Sequence, residues 1–342
     1  MMWDQINPWL AGGGLALGGA FGIVAQRSRF CVVAALSNFV LMRDYRQLHA
    51  YLAAVAIAVA GTFVLEWSGV VAIADSSYRR PAMNWLGALG GGVVFGIGAI
   101  LAGGCASRTL VRTAEGNLGA LLTLMAFAAA GMATLFGMLD PLRGWVLDRA
   151  LPLASGDASI SVVMTWPLWA APLGVVLLCL GIVLFLGDWR EHKATITGGM
   201  VIGLLLVGGW WITGVAGADP FDPTPPASLA MAAPLARTAA WLTMGQSTGT
   251  AFALFLVPGV LLGAFSGAIF WGELRWVAPA ANRVGAYVAG GALMGIGAVL
   301  AGGCNIGQGL SGVATLSLTS LLAATGIVVG MLIGLHWLYR SD

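Results

Sequence analysis

Long apolar runs with almost no charge recur along the whole chain. A membrane-spanning helix needs about 20 mostly apolar residues, and nine runs approach or exceed that length. They cover residues 10–25, 48–74, 85–104, 118–139, 166–187, 196–218, 238–271, 284–303 and 316–338. Only 9% of the 342 residues are charged, against about a quarter in a soluble domain. These features predict an all-α, polytopic membrane protein that lies in a lipid bilayer.

Several runs do not have the length of one simple span. The runs that end near Gln26, Gly104 and Gly303 are short, and the run 238–271 is so long that we expect a break near residues 245–249. Short apolar segments interrupted by glycine mark discontinuous or re-entrant helices in transporters. We therefore expect about nine to thirteen transmembrane and half-membrane helices. The first eight residues carry no basic run and no cleavage-site pattern, so no removable signal peptide is predicted.

A ten-residue segment is duplicated in the chain. Residues 96–105 read GIGAILAGGC and residues 295–304 read GIGAVLAGGC, identical at nine of ten positions. A looser similarity relates residues 12–26 to residues 198–214. The duplication predicts two structural repeats, an N-terminal half of residues 1–190 and a C-terminal half of residues 191–342, joined by the charged stretch 188–193. The sequence leaves open whether the repeats are parallel or inverted.

The two copies of the repeated segment end in a glycine pair followed by a cysteine. Two related halves usually form a substrate site at their interface near the membrane midplane. Glycine pairs can end a helix and leave backbone N–H groups free, and the segment that follows can start a new helix whose N-terminus attracts anions. We expect Gly104 and Gly303 to provide such N–H groups beside the thiols of Cys105 and Cys304.

The four cysteines fall into two groups. Cys31, Cys105 and Cys304 lie at predicted breaks, whereas Cys179 lies inside an apolar run and is expected to be a packing residue. No C-x-x-C spacing occurs and the histidines are distant in sequence, so neither a metal nor a cofactor is predicted. A Cys105–Cys304 disulfide and buried inert thiols remain alternatives to a thiol-lined path.

Polar and charged residues accompany the first two of these cysteines. Such residues in apolar sequence are costly and are candidates for function, although interface positions from which the side chain reaches water are the alternative. They are Gln26, Arg27 and Arg29 before Cys31, and Arg108, Arg112 and Glu115 after Cys105. The residues after Cys304 are uncharged, and Asn305, Gln308 and Ser311 offer neutral contacts. The pattern predicts a path that is basic on one side and neutral on the other.

At these positions the sequence resembles the YeeE/YedE family of sulphur transport membrane proteins. The matching elements are residues 26–31, residues 102–105 with Arg112 and Glu115-Gly116, and residues 301–304 with Ile306-Gly307 and Gly309-Leu310. The resemblance covers the chain from about residue 10 to its end. It implies an hourglass-like helical fold with short helices that reach the middle of the bilayer. It also implies thiosulphate uptake across the inner membrane, with Cys31, Cys105 and Cys304 passing the ion inward.

The chain departs from the thiosulphate-type pattern after the middle cysteine. Arg108 stands where that pattern has glycine, and Leu110 and Val111 replace an aromatic pair. The departure leaves the identity of the sulphur-containing anion open, with thiosulphate favoured. Neutral thiols are weak S–H donors, so we expect a hydrogen-bonded relay, with reversible sulphur exchange as the alternative mechanism.

Other functions and partners follow from the same observations. The alternative to transport is a membrane thiol enzyme or a sulphurtransferase-linked component that handles sulphur or selenium species. A cytoplasmic sulphur-carrier protein is a further expected partner if the cargo is handed on. The net charge of +2 gives no reason to expect nucleic acid.

Overall fold

A computed structural model of the chain describes residues 7–154, 156–186, 189–218, 224–245 and 250–340. Three sequence-based predictions fall partly outside these ranges. They concern the signal peptide (residues 1–6), the linker 188–193 (residue 188) and the break within the longest apolar run (residues 246–249). On the described side of that break, Gly245 caps a helix with a φ of 66° and the next helix begins at Ala251. A break at this place is therefore confirmed.

The described residues form fourteen α-helices and one small two-stranded sheet. The helices are α1 (Pro8–Ser28), α2 (Val32–Met42), α3 (Arg46–Trp67), α4 (Gly92–Leu101), α5 (Ala106–Ala114), α6 (Leu118–Phe136), α7 (Asp140–Leu147), α8 (Ile160–Val163), α9 (Ala170–Phe185), α10 (Lys193–Trp211), α11 (Ala232–Met244), α12 (Ala251–Phe270), α13 (Val284–Leu300) and α14 (Leu318–Arg340). The strands β1 (Ala82–Met83) and β2 (Leu151–Pro152) pair antiparallel. Wider π-helical turns extend or follow helices at Gly87–Gly91, Ile212–Ala216 and Gly307–Gly312.

The helices have the lengths that a bilayer requires. Eight helical segments of the described residues are long and apolar enough to cross a membrane, and α9 is a shorter apolar helix. The prediction of an all-α, polytopic membrane protein is confirmed. The run ending near Gln26 is not short, however, because α1 extends it at both ends to 21 residues, about 31 Å. Helices α2 and α5 have 11 and 9 residues, too few to cross a hydrocarbon core of about 30 Å.

Helix α1 lies along α12 over most of its length, and glycines make this contact close. A Cβ atom added at Gly14 would collide with the carbonyl of Phe252, and one added at Gly18 would collide with the carbonyl of Leu256. Higher residue numbers on α1 contact higher residue numbers on α12, so the two helices run parallel. Small residues at four-residue spacing let membrane helices gain van der Waals contact between their backbones.

Replacing Gly18 with alanine is expected to destabilise the fold, because the added methyl group meets backbone on α12. We expect a loss of about 1–3 kcal/mol, the usual cost of overpacking. Gly12 lies on the same helix with nothing within 4 Å of its added Cβ. Gly12→Ala should therefore be neutral or stabilising by up to about 1 kcal/mol. Thermal unfolding in detergent tests the pair, and equal midpoints for both variants would contradict the close contact.

The same kind of parallel pairing joins α3 to α10, α4 to α14 and α6 to α13. The helices whose sequences resemble one another, by contrast, pack against each other antiparallel. Gly98 on α4 lies against Gly290 on α13, and Gly91, in the π-helical turn that leads into α4, lies against Gly297, so α4 and α13 run antiparallel. Helices α1 and α10 also run antiparallel, since Gly13 contacts Ile212 while Gly208 contacts Leu17. Opposite directions are what an inverted repeat requires; the division at residue 190 stays a prediction.

Candidate functional site

Three cysteines each lie at the start of a short helical segment. Cys31 immediately precedes α2, Cys105 immediately precedes α5, and Cys304 precedes the helical turn Gly307–Gly312. All three side chains are buried. All four cysteines of the chain are free thiols, so the alternative of a Cys105–Cys304 disulfide is not realised.

A glycine turn brings the chain from α4 to Cys105. Gly103 has a φ of 70°, a backbone conformation that glycine adopts without steric cost. The N–H of Gly104 donates to the carbonyl of Ala99 at 2.9 Å, as in the common glycine caps of helix C-termini. The prediction that this glycine pair frees backbone N–H groups was wrong, because the amides close the end of α4. The backbone N–H groups that have no acceptor within their own helix are instead those of the first turn of α5.

The turn after α13 has the same geometry. Gly302 has a φ of 72°, and the N–H of Gly303 donates to the carbonyl of Ala298 at 2.8 Å. The expectation of free N–H groups was therefore wrong here too. Gln308 fastens this turn, since its Nε2 donates to the carbonyl of Ala301 at 2.9 Å. A Cβ at Gly303 would lie 2.9 Å from Gln308 Cγ, so the fit requires glycine.

The thiols of Cys31 and Cys105 are neighbours and interact with each other. The sulfur of Cys105 is 3.3 Å from the hydroxyl of Ser107. The amide of Asn305 faces the same sulfur, and its buried Nδ2 has no hydrogen-bond partner among the described residues. A donor without a partner is costly inside a protein. The cluster therefore has a buried amide N–H beside the Cys105 sulfur that is available to an anion.

Backbone amides surround the third thiol. The N–H groups of Met231, Ile306 and Gly307 interact with the sulfur of Cys304, which also lies within electrostatic reach of Cys105. The other two thiols have the same kind of contact. The backbone N–H of Ala34 interacts with the sulfur of Cys31, and the backbone N–H of Arg108 interacts with the sulfur of Cys105. Each thiol thus lies at the positive end of a helical segment.

Charged residues lie beside Cys31, at the end of α1. The fully buried Gln26 donates from Nε2 to the carboxylate of Glu273 at 2.8 Å, and its Oε1 has no partner among the described residues. Arg29 is 3.9 Å from the same carboxylate, with 70% of its side chain exposed. The guanidinium of Arg27 lies 5.5 Å from the ring centre of Trp271. These contacts join the end of α1 to the segment that follows α12.

The residues after Cys105 form a second charged group near the same connection. Arg108 lies 3.5 Å from the carboxylate of Glu115, and both side chains are mostly buried. Arg112 donates to the carbonyl of Gly103 at 3.2 Å. The backbone N–H of Arg275 donates to the carbonyl of Glu115 at 3.0 Å. Of these arginines, Arg108 lies within electrostatic reach of Cys31, and the side chains of Arg29 and Arg108 pair with carboxylates.

Cys179 lies apart from this cluster, buried on α9. The Tyr51 side chain on α3 lies within electrostatic reach of both Cys179 and Cys105. Its hydroxyl donates to the carbonyl of Gly309 at 2.7 Å, which ties α3 to the turn after Cys304.

Comparison with known proteins identifies the chain's relatives. A family profile described as sulphur transport matches residues 27–333. The chain belongs to the sulphur transport family. Two relatives in the family carry the name thiosulfate transporter TsuA. The one from Escherichia coli is 27% identical over 93% of this chain and 92% of its own. The one from Spirochaeta thermophila is 30% identical over 93% and 96%.

A third relative shares a shorter region. The Escherichia coli protein named probable transporter YedE is 29% identical over 109 residues, 31% of this chain and 25% of its own. The resemblance to the YeeE/YedE family is thereby confirmed. With eight membrane-spanning helices in its described part, this member of the sulphur transport family is a multi-pass membrane protein.

Sequence reasoning missed two residues that lie close to the thiol cluster. Glu273 follows α12 and bonds to Gln26 across 247 residues of sequence. Tyr78, in the connection between α3 and α4, places its hydroxyl beside Gly307 in the turn after Cys304, within electrostatic reach of that thiol. Neither residue belongs to a motif or to the repeated segment, and no pattern in the sequence singles them out.

Proposed function

We propose that this protein carries thiosulphate, or a closely related sulphur-containing anion, into the cell across the plasma membrane. The observation that carries the proposal is that Cys31, Cys105 and Asn305, which come from distant parts of the sequence, lie together inside the protein. Cys304 follows within electrostatic reach. The three thiols then serve as successive contacts for the ion.

The chemistry of the thiols suits a soft anion. Thiosulphate is a dianion with a polarisable terminal sulphur, and a neutral S–H group is a weak donor that can contact this sulphur. A permeation site must bind strongly enough to admit the ion and weakly enough to release it. Passing the ion between neighbouring thiols through hydrogen bonds satisfies both conditions and requires no covalent step.

Fixed positive potential supports the passage of an anion. The first-turn amides of α2 and α5 face Cys31 and Cys105, and helix N-termini stabilise negative charge. The exposed Arg29 and the neighbouring Arg27 lie at the end of α1, just before Cys31 in the chain. Arginines at a mouth raise the local concentration of an anion without trapping it at the centre.

The named relatives support thiosulphate as the favoured cargo. The two proteins called thiosulfate transporter match this chain over more than nine-tenths of both lengths. The arginine that departs from the thiosulphate-type pattern, Arg108, is paired with the carboxylate of Glu115. The carboxylate of Glu115 therefore compensates part of the extra charge, and Arg108 remains within electrostatic reach of Cys31.

Uptake of radiolabelled thiosulphate tests the proposal. Cells that lack other importers of sulphur oxyanions should accumulate the label when they express this chain, and proteoliposomes containing the purified protein should do the same. Unlabelled thiosulphate should compete strongly and sulphate weakly, because sulphate has no terminal sulphur for the thiols. The proposal fails if neither thiosulphate nor any other sulphur-containing anion enters.

A further inference from the structure

Tyr78 is held firmly in the connection between α3 and α4. The hydroxyl of Ser317 donates to its carbonyl at 2.6 Å. Its ring meets Trp210 edge-on, with 6.0 Å between the ring centres, an arrangement that aromatic pairs favour. Backbone and ring are therefore both fixed, and the position of the hydroxyl is well defined.

The next residue anchors the same connection. The side chain of Arg79 is 5% exposed and donates through both terminal nitrogens to the carboxylate of Glu66. Its Nε donates to the carbonyl of Thr315 at 3.0 Å. Thr315 lies just after the helical turn that follows Cys304, so Arg79 fastens the connection onto that turn.

The hydroxyl of Tyr78 lies beside the turn that follows the third thiol. A Cβ at Gly307 would lie 3.6 Å from this hydroxyl, and the N–H of Gly307 interacts with the sulfur of Cys304. Hydroxyl and thiol thus border the same small region of the turn, with Ser311 as the side-chain partner of the hydroxyl.

The proton of the Tyr78 hydroxyl can be given to an incoming anion. Ser311 donates its own proton to the carbonyl of Leu229 at 2.6 Å, so between the two hydroxyls Tyr78 is the donor. A neutral hydroxyl is a weaker acceptor than an oxyanion. The hydroxyl of Tyr51, by contrast, already donates to the carbonyl of Gly309, which would be left without its donor.

We propose that Tyr78 is a further substrate-binding residue, whose hydroxyl donates to the oxygen end of the anion while the Cys304 thiol contacts its sulphur end. This inference rests on the proposed transport function. A thiol beside a phenol matches an anion that has one soft sulphur and several hard oxygens. Sulphate lacks the soft end and sulphide lacks the oxygens, so the pair discriminates against both.

Tyr78→Phe tests the inference, because it removes the hydroxyl and keeps the ring on Trp210. Tyr287→Phe is the matched control; that ring lies against Gly119 on α6. Half-saturation by thiosulphate is measured in proteoliposomes for influx and for efflux, so that either face of the protein is sampled. For Tyr78→Phe we expect the thiosulphate concentration at half-saturation to rise about ten- to hundredfold for either influx or efflux. This is the effect of losing one hydrogen bond to a charged group.

The outcomes separate the possible roles of Tyr78. In the control variant half-saturation should stay at the wild-type value, and the maximal rate of Tyr78→Phe should stay close to that of the wild type. Unchanged half-saturation, or a lower maximal rate alone, overturns the inference, because either result indicates a packing role. Failure of the proposed function is a different result, since the wild-type protein itself would then transport no thiosulphate.

Ser311→Ala provides a second variant in case Tyr78→Phe does not accumulate in the membrane. It removes the acceptor that competes with the anion for the Tyr78 proton. Half-saturation should therefore be equal to or lower than that of the wild type. A tenfold rise for Ser311→Ala would overturn the inference.

Discussion

Replacing Cys105 with serine is expected to reduce thiosulphate uptake by at least about a hundredfold. This thiol interacts with the Cys31 thiol and the Asn305 amide and lies 3.3 Å from the Ser107 hydroxyl. A serine hydroxyl is smaller and harder than a thiol, so it loses contact with the terminal sulphur of the ion. The loss of one hydrogen bond to a charged group lowers the uptake rate about ten- to hundredfold. The longer step that the ion must then make between the two remaining thiols lowers the rate further. The initial rate of labelled uptake measures the effect.

Cys179→Ser is the matched control for this variant. Cys179 is buried on α9, outside the cluster of the other three thiols. Its replacement should leave uptake within about twofold of the wild type, because a buried thiol is a small apolar packing residue. Serine at Cys31 or Cys304 should also reduce uptake strongly. If those replacements leave uptake intact while Cys179→Ser abolishes it, the proposed path is wrong.

Much of the fold could be predicted because membrane-spanning helices can be recognised in a sequence by their length and hydropathy. The runs 118–139, 196–218 and 284–303 correspond to α6, α10 and α13, with small differences at their ends. Helix α2 escaped prediction, since its 11 residues are too few for a span and no cap at Cys31 marks its start. Its existence depends on packing against α3, which a local pattern does not contain.

The thiol positions could be predicted for a local reason. A glycine with a φ of 70° must follow α4, and the duplicated sequence requires the same at Gly302. The partners of these turns could not be predicted, because they are far away in sequence. Gln26 bonds to Glu273, and Tyr51 bonds to Gly309 across 258 residues. Such contacts follow from how the helices pack and not from any motif around either residue.

Arg79→Met is expected to destabilise the protein more than any exposed ion-pair variant. The arginine side chain is 5% exposed and lies between the carboxylates of Glu66 and Asp157, the latter at 3.7 Å. Methionine roughly keeps the volume but leaves the carboxylate of Glu66 without its arginine partner and removes the positive charge beside Asp157. Breaking a buried pair in this way costs about 3–5 kcal/mol. A cavity of about 140 Å³ borders Glu66 and Arg79, and water there can reduce the loss to the lower end of that range.

Arg143→Met is the matched control, because Arg143 pairs with Asp140 at 2.8 Å on a more exposed part of α7. An exposed pair contributes about 0–1 kcal/mol, so unfolding midpoints in detergent should differ clearly between the two variants. Adding Glu66→Leu to Arg79→Met should restore part of the stability, since it removes one uncompensated charge. Equal midpoints for the two single variants would show that the Arg79 cluster is not what fastens the Tyr78 connection to the turn after Cys304.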